Sequence, residues 1–442
     1  MATYVSRTPG STGNRRTFTF SCWVKKTDAT GNIETLFSAG NSNNDTDYFH
    51  FDSGDRFTVV LRTGGTTHTE VTAAGTRRDP GSWYHVVLRV DTTQSTASDR
   101  VRIYINGEEA TYQVTTYPGQ NVQCEINDTK LTTVGARSRA SVENFFLGYL
   151  SEVFFVDGQS YAPTTFGSTN SDGVWVPNTS PSVTYGTNGF RLQFAGSGTS
   201  ADSSGFGADT SGNNNHLASN SLGTNPNTTD TPQNNFCTLS VIDNQSVALS
   251  KGGCDFDSSG GNDEGVRGTM GVLAGKWYYE CKITGSAGLS AGNIGFAQPT
   301  YKLKNNPRGG QGMFVNGSAS LNLFNFSSSG TSLDAGAGVV QNDIIGFALN
   351  LTDNQLTVYK NGTQVGSTQT IASGLTSSGE FFLPVIVDDG GSNDVVGSFN
   401  FGNPTFTIAS SNSDANGYGS FEYAVPSGYY ALCTKNLAQY GG

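Results

Sequence analysis

The chain has 442 residues, too many for one sandwich-sized core and comfortable for two. Hydrophobic residues make up 35% and charged residues 14%, with 57 glycines, which fits short strands joined by tight polar turns, while 27 Phe and 18 Tyr supply buriable surface that a disordered chain lacks. A net charge of −11 argues against broad nucleic-acid binding, no basic run exceeds two residues, and no stretch approaches the roughly 20 apolar residues that a membrane helix needs.

Met1-Ala2-Thr3-Tyr4-Val5-Ser6-Arg7 contains no apolar h-region, so no secretory leader is expected, and release by lysis as part of a virus particle is one route outward. Thr17-Phe18-Thr19-Phe20-Ser21-Cys22-Trp23-Val24 alternates and predicts a half-buried strand. Further strands are expected at 33–38, 47–52, 56–62, 67–72, 83–91, 101–106, 131–135, 148–156 and 189–194. They are separated by turn signals such as Gly64-Gly65, Asp79-Pro80-Gly81 and Asn106-Gly107. A short helix or turn is expected around 162–166. Residues 195–235 are rich in Ser, Gly, Asn, Asp and Thr and read as a connector whose polar side chains lie on the domain surfaces. Strands resume at 237–239 and 247–249. They continue at 268–272, 276–284, 293–297, 312–315, 321–326, 343–350, 355–360, 381–387, 396–401 and 428–433. No heptad run is present, so a coiled-coil shaft is not encoded.

One pattern occurs twice. Gly81-Ser82-Trp83-Tyr84 enters a strand, and Arg102-Ile103-Tyr104-Ile105 ends at Asn106-Gly107; Gly275-Lys276-Trp277-Tyr278 enters another, and Leu356-Thr357-Val358-Tyr359-Lys360 ends at Asn361-Gly362. Asn-Gly after alternating residues marks a type I′ hairpin, because both central residues need positive φ. The two copies predict an all-β chain of two antiparallel β-sandwich (jelly-roll type) domains in tandem, over 1–195 and 236–442, with 196–235 between them. The six cysteines (Cys22, Cys124, Cys237, Cys254, Cys281, Cys433) form no C-x-x-C and are expected as buried free thiols; with only four histidines, zinc is not expected.

The order Phe18–Val24, Trp83–Val86, Val101–Gly107 and Gly148–Gly158 resembles the laminin-G-like branch of the concanavalin A-like lectin/glucanase superfamily, which implies a jelly roll over residues 1 to about 195. Gly275–Glu280, Asn293–Ala297, Asp343–Asn350, Leu356–Gly362, Phe382-Leu383-Pro384 and Phe399–Gly402 resemble the SPRY (B30.2) family in type and order. That resemblance implies a module that binds partners through its loops and has no catalytic role. The phrases Tyr4–Pro9, Tyr161–Gly167, Asp209–His216 and Thr229–Phe236 resemble structural proteins of marine tailed bacteriophages and imply a virion component of tail-fibre or head-fibre type.

The chemistry of an enzyme is not evident. Glucanases of the same superfamily carry paired carboxylates at even spacing on one strand. The nearest fragments, Glu125 with Asp128 and Asp263 with Glu264, lack that spacing and read as solvated turn acids. His85 and His50 sit in predicted strands and read as packed or surface residues rather than catalytic ones. Oxygen-rich loops at Asn43–Asp47 and Asp388–Asp394 suit a hard cation, so calcium is a candidate at Asp388, Asp389 and Asp394; no other cofactor is expected. Asp45, Asp47 and Tyr48, with Tyr301 and Phe314, are candidate glycan contacts, since a sugar site pairs an aromatic platform with polar side chains. Trp83 and Trp277 are expected in the core.

The reading is therefore a non-enzymatic phage virion protein that binds host surface carbohydrate or a receptor. A decoration protein whose loops touch only other virion subunits is the alternative, and a glycan depolymerase a third. Partners are other virion proteins and host carbohydrate, without nucleic acid or membrane insertion. A homo-oligomer is expected, with a trimer as the first choice.

Overall fold

The computed structural model describes residues 3–27, 31–171, 173–223, 226–259, 264–290, 292–303, 310–336, 338–388 and 394–441. They form two compact units, Met1–Asn227 and Thr228–Gly442, and both are all-β.

In the first unit an eight-stranded antiparallel sheet runs Tyr112–Thr116, Thr66–Ala73, Phe57–Thr63, Thr46–Phe51, Glu34–Gly40, Thr132–Val134, Tyr4–Arg7, Ala218–Asn220. A six-stranded sheet runs Phe190–Leu192, Gly148–Asp157, Thr17–Lys26, Tyr84–Asp91, Val101–Ile105, Glu108–Glu109. The alternation of the strands aims one face of each sheet inward, and their aromatics meet there. Phe37 lies 4.9 Å from Phe20, 5.3 Å from Phe155 and 5.6 Å from Phe49, ring centre to ring centre. All of these rings are buried, each worth several kcal/mol (about 3–5) on truncation.

The second unit repeats the architecture. A seven-stranded sheet runs Leu239–Gln245, Gly265–Gly268, Leu383–Asp388, Gly292–Ala297, Gly312–Asn316, Leu321–Asn325, Thr331–Asp334. The second sheet has Ala248–Ser250, Asp255–Asp257, Val396–Asn400, Lys276–Ile283, Ile344–Asn350, Gln355–Lys360 and Thr363–Gln364 in order; Gln369–Thr370 and Tyr430–Ala431 add to it off this path. Tyr279 centres the core: it stacks on Phe347 at 4.8 Å, meets Phe296 edge-on at 5.1 Å, and donates its hydroxyl to the Gly295 carbonyl at 2.6 Å. Trp277 is buried and donates to the Ala274 carbonyl. All six cysteines are buried and free.

Both Asn-Gly turns have the expected geometry, with φ of 51° and 86° at Asn106-Gly107 and 49° and 78° at Asn361-Gly362. Each asparagine also does a second job. Asn106 Oδ1 accepts from the His85 N–H at 2.7 Å and Asn361 Oδ1 from the Ile344 N–H at 2.9 Å, so each side chain extends the neighbouring ladder by one bond. The two copies are not equivalent in topology, however. The strand after Trp83 pairs directly with the Asn-Gly strand, whereas Ile344–Asn350 lies between the Trp277 strand and its Asn-Gly strand.

Residues 196–227 fold with the first unit: Ala218–Asn220 pairs with Tyr4–Arg7 at the sheet edge. Asp209, Asn213 and Asn215 bind the backbone of residues 186–191, so the Asp209–His216 phrase is a structural staple. Residues 229–236 belong to the second unit, where Asn234 and Asn235 bond Lys435 and Thr434. Those partners begin a helix, Thr434–Tyr440, which strand alternation gave no reason to expect. Among the described residues, no helix is long and apolar enough to cross a membrane.

Candidate functional site

The structure divides the sequence candidates sharply. Asp47 is fully buried and is not a ligand contact: its carboxylate accepts the N–H groups of Arg62 (2.9 Å), Glu125 (2.5 Å) and Ile126 (3.0 Å), tying the 124–128 loop to the sheet. Burial, with Glu125 nearby, pushes its pKa up to about 7 against those bonds. Asp45 accepts from Ser42 Oγ (2.9 Å) and the Gly64 N–H (2.7 Å), so it closes its own loop and the next hairpin. Those bonds, the Gly64 N–H first, hold its carboxyl below the usual range. Tyr301 and Phe314 are buried too, with ring centres 5.0 Å apart, in a small apolar cluster with Ala297, Leu303, Phe324, Val385 and Val387. This corrects the expectation that they form a platform; the alternation places Phe314 on the face that this cluster covers.

Asp388 is buried and accepts the Ser258 hydroxyl at 2.7 Å, and Asp389 lies outside the described residues. Asp394 is described, as is Glu264, which is 2% exposed and has one carboxylate oxygen without a hydrogen bond. Burial first, then Asp388, Asp394 and Asp257, raise the Glu264 pKa. Among the described residues, no three His, Cys, Asp or Glu side chains converge as a metal-ligand set.

Tyr48 is the one glycan candidate whose ring stays half-exposed, and the sheet builds a site around it. In Thr46–Phe51 the even residues Tyr48 and His50 face away from the core while Phe49 and Phe51 face it. Tyr48 pairs across the ladder with Val60 and with Ser38, which places Arg62, two residues beyond Val60, on the same outer face. A two-stranded hairpin, Arg137–Ser138 with Val142–Glu143, lies against this face. Three hydroxyls lock it there. Thr46 Oγ1 donates to the Ser138 carbonyl (2.8 Å), Ser38 Oγ accepts the Ser138 N–H (3.1 Å), and Ser138 Oγ donates to the Gly40 carbonyl (2.8 Å). Gly40 is needed for the close approach, since a Cβ there would stand 2.7 Å from the Asp45 carbonyl oxygen and 2.8 Å from that of Ser138.

So held, the hairpin places the Arg137 guanidinium over Tyr48, its Cζ 3.6 Å from the ring centre, while His50 sits 4.9 Å from the same ring. Arg139 bonds Glu143 at 2.7 Å and Asn43 at 2.7 Å. Arg137 is 3.9 Å from Glu143, and no acid pairs with Arg62 among the described residues. Nε of Arg62, Nε of Arg137 and Nδ1 of His50 are buried without a hydrogen bond. Burial takes His50 down to about 4 against the opposing charge of Asp52, with Arg137 adding to the fall, so it is neutral at pH 7. The face thus presents an aromatic ring and a fork of guanidinium donors. Only Tyr48 was legible beforehand; Arg137 is 89 residues away, and nothing in its local sequence marks it.

Hydrolytic constellations fare differently. Ser21 Oγ lies 2.9 Å from His85 Nε2, but the Trp175 indole N–H donates to His85 Nδ1 at 3.0 Å. Nδ1 is therefore the acceptor, Nε2 carries the proton, and the imidazole donates to Ser21 instead of drawing its proton away. Burial lowers His85 to about 3, which keeps it neutral. Glu125 is consumed by Thr63, Lys130 and Arg15, and Asp128 by Thr12 and Arg15. In the second unit an open cleft of about 310 Å3 is lined by Asp243, Gln245, Arg267, Lys302 and Leu303. Its Arg267 is spent on both Asp243 oxygens (2.9 Å each) and on the Pro299 and Tyr301 carbonyls.

Residues 2–160 match the family model of the concanavalin A-like lectin/glucanases superfamily, and residues 276–404 match the SPRY domain model. The chain thus carries one domain of each kind; both kinds typically bind rather than catalyse. No curated protein matches the chain in sequence. Among solved structures, the SPRY domain of human HERC1 is 15% identical, covering 38% of this chain and 99% of that one (TM-score 0.32). The mouse laminin alpha1 chain, domains LG4-5, is 9% identical over 90% and 84% (TM-score 0.31). A SAP-like pentraxin from Limulus polyphemus is 16% identical over 42% and 89% (TM-score 0.30).

Proposed function

We propose that this is a non-enzymatic virion protein of a tailed phage, of tail-fibre or head-fibre type, which attaches to carbohydrate on the host surface. The observation that carries the binding role is the outer face around Tyr48, where a partly exposed ring lies beside three guanidinium groups, Arg62, Arg137 and Arg139, that share Glu143 as their one acid partner among the described residues. A ring for stacking and planar donors for sugar oxygens are what a glycan site requires. The phage setting rests on the Tyr4–Pro9, Tyr161–Gly167, Asp209–His216 and Thr229–Phe236 phrases. Repetition of the chain on a particle turns a weak site into useful avidity, by 10²–10⁴-fold as an order of magnitude.

The test is a glycan array probed with the purified full chain, beside Tyr48→Ala as the negative control. Binding to defined bacterial surface glycans that Tyr48→Ala loses supports attachment. An array on which the native chain binds nothing, with a particle in which the Tyr48 face is covered by neighbouring subunits, sinks it in favour of a decoration role.

A further inference from the structure

We infer that the ligand of the Tyr48 face is an acidic glycan, whose carboxylate or sulfate ester is held by Arg62 and Arg137 while a sugar ring packs beside the partly exposed Tyr48. The inference rests on the attachment reading above and adds the charge of the polymer. Three observations lead to it.

The first is a local excess of cations on a chain whose net charge is −11. Arg62, Arg137 and Arg139 share this face, and among the described residues Glu143 is the one acid that pairs with any of them, 2.7 Å from Arg139 and 3.9 Å from Arg137. Glu70, on the same face opposite Val60, is exposed. The second is unmet hydrogen-bonding capacity. Arg62 and Arg137 each keep a buried Nε–H without an acceptor, and His50, 5% exposed, keeps a buried Nδ1 without a partner. A buried donor without an acceptor costs about 1–3 kcal/mol, so two guanidinium groups with unmet donors on one face favour an added acceptor there. The third is mutual repulsion. Burial holds the Arg137 pKa below its ordinary value; Arg139 and Arg62 act in the same direction, while Tyr48 and Glu143 oppose them. An incoming anion relieves that repulsion, and a carboxylate or sulfate matches the planar fork of a guanidinium.

A neutral sugar offers only hydroxyls and leaves the cation excess uncompensated. A net charge of −11 disfavours polyanion binding overall, so loss of capture on changing Arg62 or Arg137 reports a local site.

The experiment measures binding of the full chain to alginate (carboxylate), dextran sulfate (sulfate) and plain dextran (neutral) at two salt concentrations. Expected are binding to at least one acidic polymer that weakens at least tenfold with added salt, and at least tenfold weaker binding to dextran. The preference between alginate and dextran sulfate identifies the anion. Arg62→Gln and Arg137→Gln should each lose about tenfold or more toward the acidic polymer, while Arg102→Gln, a distant surface arginine, stays within about twofold; unfolding midpoints confirm that all three variants fold. Binding to dextran equal to or tighter than to both acidic polymers overturns the acidic-ligand inference and leaves attachment standing. Acidic-polymer binding that both arginine variants retain overturns the placement. No binding to any of the three, together with a silent glycan array, overturns both readings.

Discussion

Lys26 offers the sharpest test of how the first unit is held together. Its ammonium is 2% exposed and sits 2.9 Å from Glu34 and 2.5 Å from Asp55, both equally buried, with Arg78 at 3.0 Å from the second Asp55 oxygen. Burial by itself would lower the Lys26 pKa, but its bonds to Asp55 and Glu34 more than offset that and raise it. Replacing Lys26 by Met removes the ammonium and leaves two carboxylates facing each other out of water. Each contact is worth roughly 4 kcal/mol gross at an effective dielectric near 20, much of it cancelled by desolvation of the ammonium. Breaking a buried pair from one side typically costs about 3–5 kcal/mol, and Arg78 still compensates Asp55, so about 3 kcal/mol is expected. For a unit of this size that is a fall of about 6–12 °C in its melting transition. Calorimetry on the full chain should show that fall in one transition only. The triple variant Lys26→Met, Glu34→Gln, Asp55→Asn should recover most of it, because the whole triad then becomes neutral; Asn tolerates the φ of 58° at position 55. Because the folded Lys26 pKa is raised, its contribution is complete below the unfolded value of about 10.4 and is lost as pH climbs through the folded one. A single-variant shift below about 2 °C, or a triple variant no better than the single, would refute the reasoning.

Other consequences are equally direct. Asp47 titrates near 7 when folded against about 3.9 unfolded, so the first unit should lose about 4 kcal/mol from this group as pH rises from about 4 to 7; Asp47→Asn should flatten that part of a denaturation-versus-pH curve. Glu280 accepts from Tyr278, Asn400 and the Glu422 and Tyr423 N–H groups at 2.9–3.2 Å, so Glu280→Ala should cost the second unit about 3–5 kcal/mol by urea unfolding, and Glu280→Gln visibly less. Glu264, raised by burial and by neighbouring acids, costs stability once ionised; Glu264→Gln should raise the second transition at pH 7, and the gain should vanish as pH falls below about 4. Gly362→Ala places a Cβ 2.5 Å from the Tyr423 ring at a φ of 78° and should cost more than Gly64→Ala, where φ is 60° but no atom lies within 4 Å; the second change is expected at about 1 kcal/mol.

Much of the fold is written locally. Alternating runs such as Thr17–Lys26 and Phe57–Thr63, and the Asn-Gly turns, carry their structure in their own residues, because a period of two sorts side chains between the two faces of a sheet whatever the partner strand is; burial of both faces was not legible, and Thr17–Lys26, expected to be half-buried, is buried on both from Phe18 to Lys26. The shift from the expected 268–272 to Gly265–Gly268 shows where that fails: Val266-Arg267 beside glycines alternates too weakly to fix a register. Tyr4–Arg7, Asp255–Asp257 and Thr331–Asp334 were not legible for the same reason, being short edge or near-edge pieces specified by the strand beside them. Asp45, Asp47, Tyr301 and Phe314 had the right chemistry for a site, but residue type cannot say whether a carboxylate meets solvent or three backbone N–H groups.

By itself, then, the sequence determined the β-class, the division into two sandwiches and the buried state of the cysteines, all of which depend on composition and short-range period. Only the tertiary structure decided which polar residues the fold consumes and which it leaves unmet. Arg137 reaches Tyr48 because three hydroxyls from separate strands pin a hairpin onto a sheet, and such a meeting has no trace in either residue's neighbourhood.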